Sequence, residues 1–176
     1  NDVASLTVKF DILGLRTLSV VSDTCKQLGI NIEDIDVGLQ DIYENFKFIE
    51  APKGLFQIEA DTNFKVCKKI APKNLEELSA VVAIARPGAL DYLDVYADYA
   101  STSRFQSVNE FFDDILSYTG GIPLYQEQLM KMAHKVGFTL DEAEILRRIV
   151  GKKKVSEVKK WKKKIKDKIK DQNLDP

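Results

Sequence analysis

Val8-Lys9-Phe10-Asp11-Ile12-Leu13-Gly14-Leu15-Arg16-Thr17-Leu18 is the stretch on which the reading of this chain turns. Val8, Phe10 and Ile12 alternate with Lys9, Asp11 and Leu13, so a strand here puts the apolar trio on one face. Lys9 and Asp11 then share the other face. Gly14 supplies a turn, and a helix follows from Leu15. An aspartate at the end of a strand beside a lysine is a post for a divalent metal and a phosphate. The spacing alone leaves open the plainer alternative, a surface Lys-x-Asp pair on an edge strand.

Outward from this stretch the pattern is helical. Leu15, Leu18, Val20, Val21 and Leu28 space a helix that Gly29 stops. A shorter helix is expected over 36–46, then a turn at Pro52-Lys53-Gly54 and a brief extended piece over 55–58. Helices follow over 61–70, over 78–85 behind an Asn74-to-Glu77 cap, over 91–100 and over 108–118. Ser101-Thr102-Ser103 separates the last two. Thr119-Gly120-Gly121 is a loop, and Pro123 is placed as an early residue of a helix running to about 136. Thr139 and Glu142 form a second capping box, opening a helix through Arg148. Gly151 punctuates, and a final helix over 155–170 carries Val155, Val158, Trp161, Ile165 and Ile169 as an apolar stripe. About eight helices against one or two strands make the class mainly α with a small β remnant at the N-terminus.

The 176 residues are 44% apolar and 30% charged, the balance of a globular protein with room for a core. No apolar run approaches the roughly 18 residues of a membrane span. The opening Asn1-Asp2-Val3-Ala4 lacks an initiator Met and a signal-like stretch, so the chain reads as part of something longer, in the cytoplasm. Cys25 and Cys67 are too few for a disulfide framework and lack zinc spacing, and reduced, buried thiols are expected. The net charge of −1 conceals an asymmetry: residues 147–176 hold 13 basic and 4 acidic residues, a balance of +9 that leaves −10 for the remainder. A basic element on an acidic body suits contact with polyanions, and a solvated lysine-rich helix is the alternative.

Lys9 to Leu18 closely resembles the palm segment of the bacterial replicative DNA polymerase III alpha subunit family. Four further strings resemble the same family in the same order. They are Gly54-Leu55-Phe56-Gln57-Ile58-Glu59, Ala85-Arg86-Pro87-Gly88-Ala89-Leu90, Ile122-Pro123-Leu124-Tyr125-Gln126-Glu127-Gln128, and the run from Glu144 to Lys153. The resemblance implies the C-terminal part of a palm over 1–50 and a multi-helix fingers domain over 51–176. It implies DNA-directed nucleotidyl transfer by two-metal catalysis in a full-length parent. Primer-template DNA, deoxynucleoside triphosphates, the rest of the alpha subunit and replisome subunits are its implied partners.

Within that resemblance Asp11 matches one of three palm aspartates that hold Mg²⁺, with Lys9 beside it as a catalytic-site residue. The other two belong to an Asp-x-Asp motif upstream, and none precedes Asp11 here. Asp34-Ile35-Asp36 has that spacing, lies after the palm strand and reads as a loop or helix-start pair. One carboxylate of three is not expected to hold Mg²⁺ in this chain alone, which is expected to be inactive by itself. Arg147, Arg148, Lys152 and Lys153 match the fingers segment that faces the incoming nucleotide, where guanidiniums clamp phosphate oxygens bidentately and lysines add point charge. Val150 stands where the family usually has Met. Arg86, at the break of an apolar helix, is a C-terminal cap or a group aimed into a cleft, and the resemblance favours a nucleotide-binding cleft. Gln126 and Gln128 at a helix start hydrogen-bond nucleic acid or merely cap. Lys159, Lys160 and Lys163, in a lysine run surrounding the last helix, suit the phosphate backbone of nucleic acid.

His134 reads as a partly exposed helix residue, and Trp161 as packing rather than stacking on a base. A different class of function is also compatible with these residues: a stand-alone, non-catalytic nucleic-acid-binding helical module.

Overall fold

The computed structural model describes residues 10, 12–151 and 155–171, which hold nine α-helices, five short 3-10 turns and no strand. The chain divides into two compact units, Asn1–Leu39 and Gln40–Pro176. The mainly helical class is as read from the sequence. The β remnant is not part of the described structure. Val8, Lys9 and Asp11 lie outside the described residues, while Phe10, Ile12 and Leu13 are exposed and belong to no strand. A strand needs a neighbour to take its N–H and C=O groups, and none is present among the described residues.

The first unit is built on α1 (Arg16–Leu28). Gly29 ends it in the left-handed region at φ +69°, a conformation that glycine adopts without a Cβ penalty, and Ile30 N–H closes back on Cys25 O at 3.1 Å. Cys25 is buried, but Leu18, Val20 and Leu28 are 56, 64 and 67% exposed. After a 3-10 turn at Ile32–Asp34, the Asp36 carboxylate accepts Gly38 N–H at 2.8 Å. Asp34 is likewise tied to Asn31 N–H, so the Asp-Ile-Asp string is the loop pair its sequence suggested.

The Asp36–Gly38 turn at the end of the first unit occupies the start of the expected helix. The expected helix over 36–46 is instead α2 (Gln40–Glu44) followed by a 3-10 turn at Asn45–Phe48. Lys68 Nζ fastens that turn, donating to Lys47 O at 2.6 Å and Ile49 O at 3.1 Å. Residues 55–58 are a turn rather than an extended piece, with Ile58 N–H bonded to Leu55 O and Gln57 at φ +64°.

Helices α3 (Asp61–Ile70), α4 (Leu75–Ile84) and α5 (Leu93–Thr102) surround the first core. Val66, Ile70, Val81, Ile84 and Tyr96 fill it. Asn74 caps α4 by accepting Glu77 N–H at 2.8 Å. Ser101 and Thr102 do not separate helices as expected. Their hydroxyls bond back to Asp98 O, and α5 runs on until Ser103 takes φ +57°.

The second core lies among α7 (Gln126–Lys135), α8 (Leu140–Gly151) and α9 (Val155–Asp171), reached through the short α6 (Asp113–Leu116). Ala133, Phe138, Ala143, Leu146, Ile149 and Trp161 fill it. The helix expected over 108–118 is broken into α6 and flanking 3-10 turns, because Asn109 caps Phe111 N–H at once and Gly120 ends the run at φ +70°. Pro123 falls in the loop before α7, not in the helix. Thr139 and Glu142 make the reciprocal capping box that the sequence predicts, at 3.0 and 3.2 Å. Trp161 packs its ring 5.3 Å from that of Phe138, which anchors α9.

Candidate functional site

The last turns of α8 and the start of α7 meet at a charged corner. On a helix, residues three and four apart share a face. Glu144 is therefore within reach of both Arg147 and Arg148. Its Oε2 accepts Arg147 Nε at 2.6 Å, and its Oε1 accepts both Arg147 Nη2 at 2.7 Å and Arg148 Nε at 2.8 Å. The two guanidiniums hold the Glu144 carboxyl down at about 2, Arg147 contributing most. The same contact raises the Arg147 pKa.

Arg147 also donates through Nη1 to Gln126 Oε1 at 2.7 Å, which ties α8 to the start of α7. All three of its nitrogens are thus used inside the protein. Arg148 differs: its side chain is 65% exposed, and its Nη1 and Nη2 have no partner among the described residues. Gln126, Arg147, Arg148 and Gly151 line an open concavity of about 450 Å³. Two guanidiniums against one carboxylate leave it a single net positive charge. At such a corner Arg148 can donate from Nη1 and Nη2 to a pair of anionic oxygens, with Arg147 held still behind it. Lys152 and Lys153, which follow Gly151, lie outside the described residues.

The other candidates are scattered. Arg86 is exposed beyond the end of α4, and its guanidinium makes no hydrogen bond among the described residues, so it does not cap the helix. Gln128 takes the capping alternative of its expectation, at the start of α7, and not the nucleic-acid contact. It has 0% exposure, and its amide is saturated: Oε1 accepts Leu124 and Tyr125 N–H at 2.8 Å, while Nε2 donates to Ile115 O and Thr119 Oγ1. It fastens a loop and presents nothing to a ligand. Lys159, Lys160 and Lys163 are exposed on α9. Asp11 and Lys9 lie outside the described residues.

Among the described residues no three His, Cys, Asp or Glu side chains gather as a metal site. No described helix is long and apolar enough to cross a membrane. Cys25 and Cys67 are free, buried thiols, and burial pushes Cys67 up. His134 Nδ1 lies 3.0 Å from Phe138 O, a local tie at the end of α7. Sequence reasoning passed over Glu144, although a carboxylate three and four residues before paired arginines is a legible signal on a helix.

A family model described as the bacterial DNA polymerase III alpha subunit finger domain matches residues 16–173. A DNA polymerase III subunit alpha from Thermus aquaticus is 32% identical over 166 residues, covering 87% of this chain and 14% of that protein. One from Thermotoga maritima is 37% identical over 149 residues, 83% of this chain and 16% of that protein. One from Staphylococcus aureus is 36% identical over 154 residues, 83% of this chain and 14% of that protein. The chain thus spans about one-seventh of the length of these relatives.

Proposed function

We propose that this chain, which belongs to the bacterial DNA polymerase III alpha subunit finger-domain family, is the nucleotide-facing part of a replicative DNA-directed DNA polymerase. In this reading the corner at the end of α8 receives the triphosphate of an incoming deoxynucleotide. Arg148 offers its two free nitrogens to phosphate oxygens, and Arg147 is held behind it by Glu144 and Gln126. Lys152 and Lys153 add positive charge next to Gly151, and Arg86 contributes from the break after α4. The observation that carries the reading is the open fork of Arg148 beside a fully engaged Arg147.

In this reading residues 1–50 are the end of the palm and 51–176 the fingers. Asp11, with Lys9 at its side, supplies one carboxylate to an Mg²⁺ site completed elsewhere in a longer alpha subunit. The exposed apolar side chains of Leu18, Val20 and Leu28 suit burial against that remainder. Primer-template DNA and the other replisome subunits are the partners, in the cytoplasm, and the chain alone does not extend a primer.

Steady-state incorporation by the full-length polypeptide is the test. Arg148→Ala is expected to raise the nucleotide KM by about ten- to a hundredfold, the range for losing one charge-assisted contact. An unchanged KM overturns the nucleotide assignment. Asp11→Asn in the same assay is expected to lower turnover by about a thousandfold or more, and near-normal turnover removes Asp11 from the metal site.

A further inference from the structure

Helix α9 carries eight lysines, and they are not spread evenly around it. Lys159, Lys163, Lys166 and Lys170 follow at intervals of four, three and four, which places them on one ridge, with Lys162 beside it. All five are exposed. None of the five has a hydrogen-bond, ion-pair or ring partner among the described residues. The other flank interleaves Lys160, Lys164 and Lys168 with Glu157, Asp167 and Asp171. There Lys164 Nζ sits 4.9 Å from the Trp161 ring centre and Lys168 Nζ 5.8 Å from that of Phe138, so both ammoniums are drawn onto aromatic faces. Trp161, Ile165 and Ile169 hold the third side of the helix to the core. The direction of the ridge is therefore fixed.

We propose that this ridge is a docking surface for the phosphate backbone of duplex DNA, held without reading sequence. The choice of DNA among polyanions rests on the polymerase reading above; the choice of residues and of duplex rests on the ridge itself. From Lys159 to Lys170 the helix rises about 16 Å, which matches about five base-pair steps. Surfaces for single strands stack bases on exposed aromatic rings. The ridge has none, and Trp161 is only 6% exposed. Its chemistry is point charges on a straight, rigid rod, which suits a rod of regularly spaced phosphates.

Fluorescence anisotropy of the 176-residue chain with a labelled duplex of about 20 base pairs, across about 50–200 mM KCl, tests this. The variant Lys159→Gln/Lys163→Gln/Lys166→Gln/Lys170→Gln is expected to bind at least tenfold more weakly and to flatten the log–log salt slope by about 3.6, near 0.9 per lost contact. Gln is a good helix former, so circular dichroism should be unchanged. Arg at the same four positions should retain the slope. Lys164→Gln/Lys168→Gln, which removes the two ammoniums drawn onto the Trp161 and Phe138 rings, should stay within about twofold of the parent. Equal losses from the two flanks, or no loss from the ridge, overturn the proposal. Tighter binding to oligo-dT than to duplex reassigns the surface to single strands, and stronger competition by poly-glutamate than by DNA reassigns it to an acidic protein; either overturns it. Failure here leaves the Arg148→Ala effect on nucleotide KM intact, whereas failure of the polymerase reading removes that effect.

Discussion

Gln128 Nε2 donates to Thr119 Oγ1 at 2.7 Å, and both residues are enclosed, at 0 and 2% exposure. The Thr119 hydroxyl passes its own proton on toward Ile122 O at 2.7 Å or Leu116 O at 3.1 Å, so the pair pins the Gly120-Gly121 loop to the start of α7. Gln128→Ala strips the acceptor from two backbone N–H groups and leaves the Thr119 oxygen and the Ile115 carbonyl without a donor. Leaving buried groups unpaired costs about 1–3 kcal/mol. The expected loss is roughly 3 kcal/mol in urea unfolding, with no change in the salt slope of DNA binding by the folded fraction. A variant that melts like the parent but binds DNA poorly would restore Gln128 as a nucleic-acid contact.

Gly54 and Gly121 share nearly the same backbone, φ +82° and +85°, but not the same surroundings. A Cβ on Gly54 meets nothing within 4 Å, whereas one on Gly121 comes 2.3 Å from Gln106 O. Gly54→Ala therefore bears only the left-handed backbone penalty, about 1–2 kcal/mol. Gly121→Ala must also push the Gln106 backbone away, and its loss should be at least twice as large. Paired thermal melts check this, and equal losses would show that the chain near Gln106 yields freely.

Glu144 makes stability depend on acid in a defined window. Its pKa is lowered in the folded chain from 4.5 to about 2, so its contribution is complete above about 4.5 and fades as pH falls toward 2. Glu144→Gln removes that dependence. The difference in urea midpoint between parent and variant is expected to be largest near neutral pH and to shrink steadily between about 4.5 and 2. A difference that stays constant across this range would mean that the carboxylate charge is not what the arginines hold.

Local chemistry was the legible part of this sequence. Gly29 as a helix stop, Asn74 as a cap and the Thr139–Glu142 box each act within a few residues, and each appears in the structure where the pattern puts it. What the pattern missed depends on partners farther off or on competing side-chain bonds. Ser101 and Thr102 look like a break, yet their hydroxyls find Asp98 O and carry the helix past them. Gln128 looks like a surface amide at a helix start, but its partners Ile115 and Thr119 are 13 and 9 residues away and enclose it. At the charged corner the arginines were legible as cations. Their inequality was not, because it depends on Gln126, 21 residues from Arg147 and on another helix.

That inequality gives the sharpest prediction. Arg147 spends Nε, Nη1 and Nη2 on Glu144 and Gln126, while Arg148 spends only Nε. Arg147→Ala should therefore lower the melting temperature of the chain, since it removes the side-chain bond from α8 to Gln126 of α7 and leaves Glu144 with one partner. Arg148→Ala should leave the melting temperature within about 1 °C, as surface substitutions typically do. In the full-length polypeptide the order reverses for nucleotide: Arg148→Ala raises KM by about ten- to a hundredfold. Arg148→Lys keeps the charge but not the planar fork, so it should recover only part of that loss. Arg147→Lys should behave chiefly as a stability variant, because a lysine cannot serve Glu144 and Gln126 together in the same geometry. Melting curves beside steady-state kinetics for the four variants decide the matter. If the two alanine variants give the same pair of readouts, the arginines act as one undivided positive patch, and the open fork of Arg148 has no separate role.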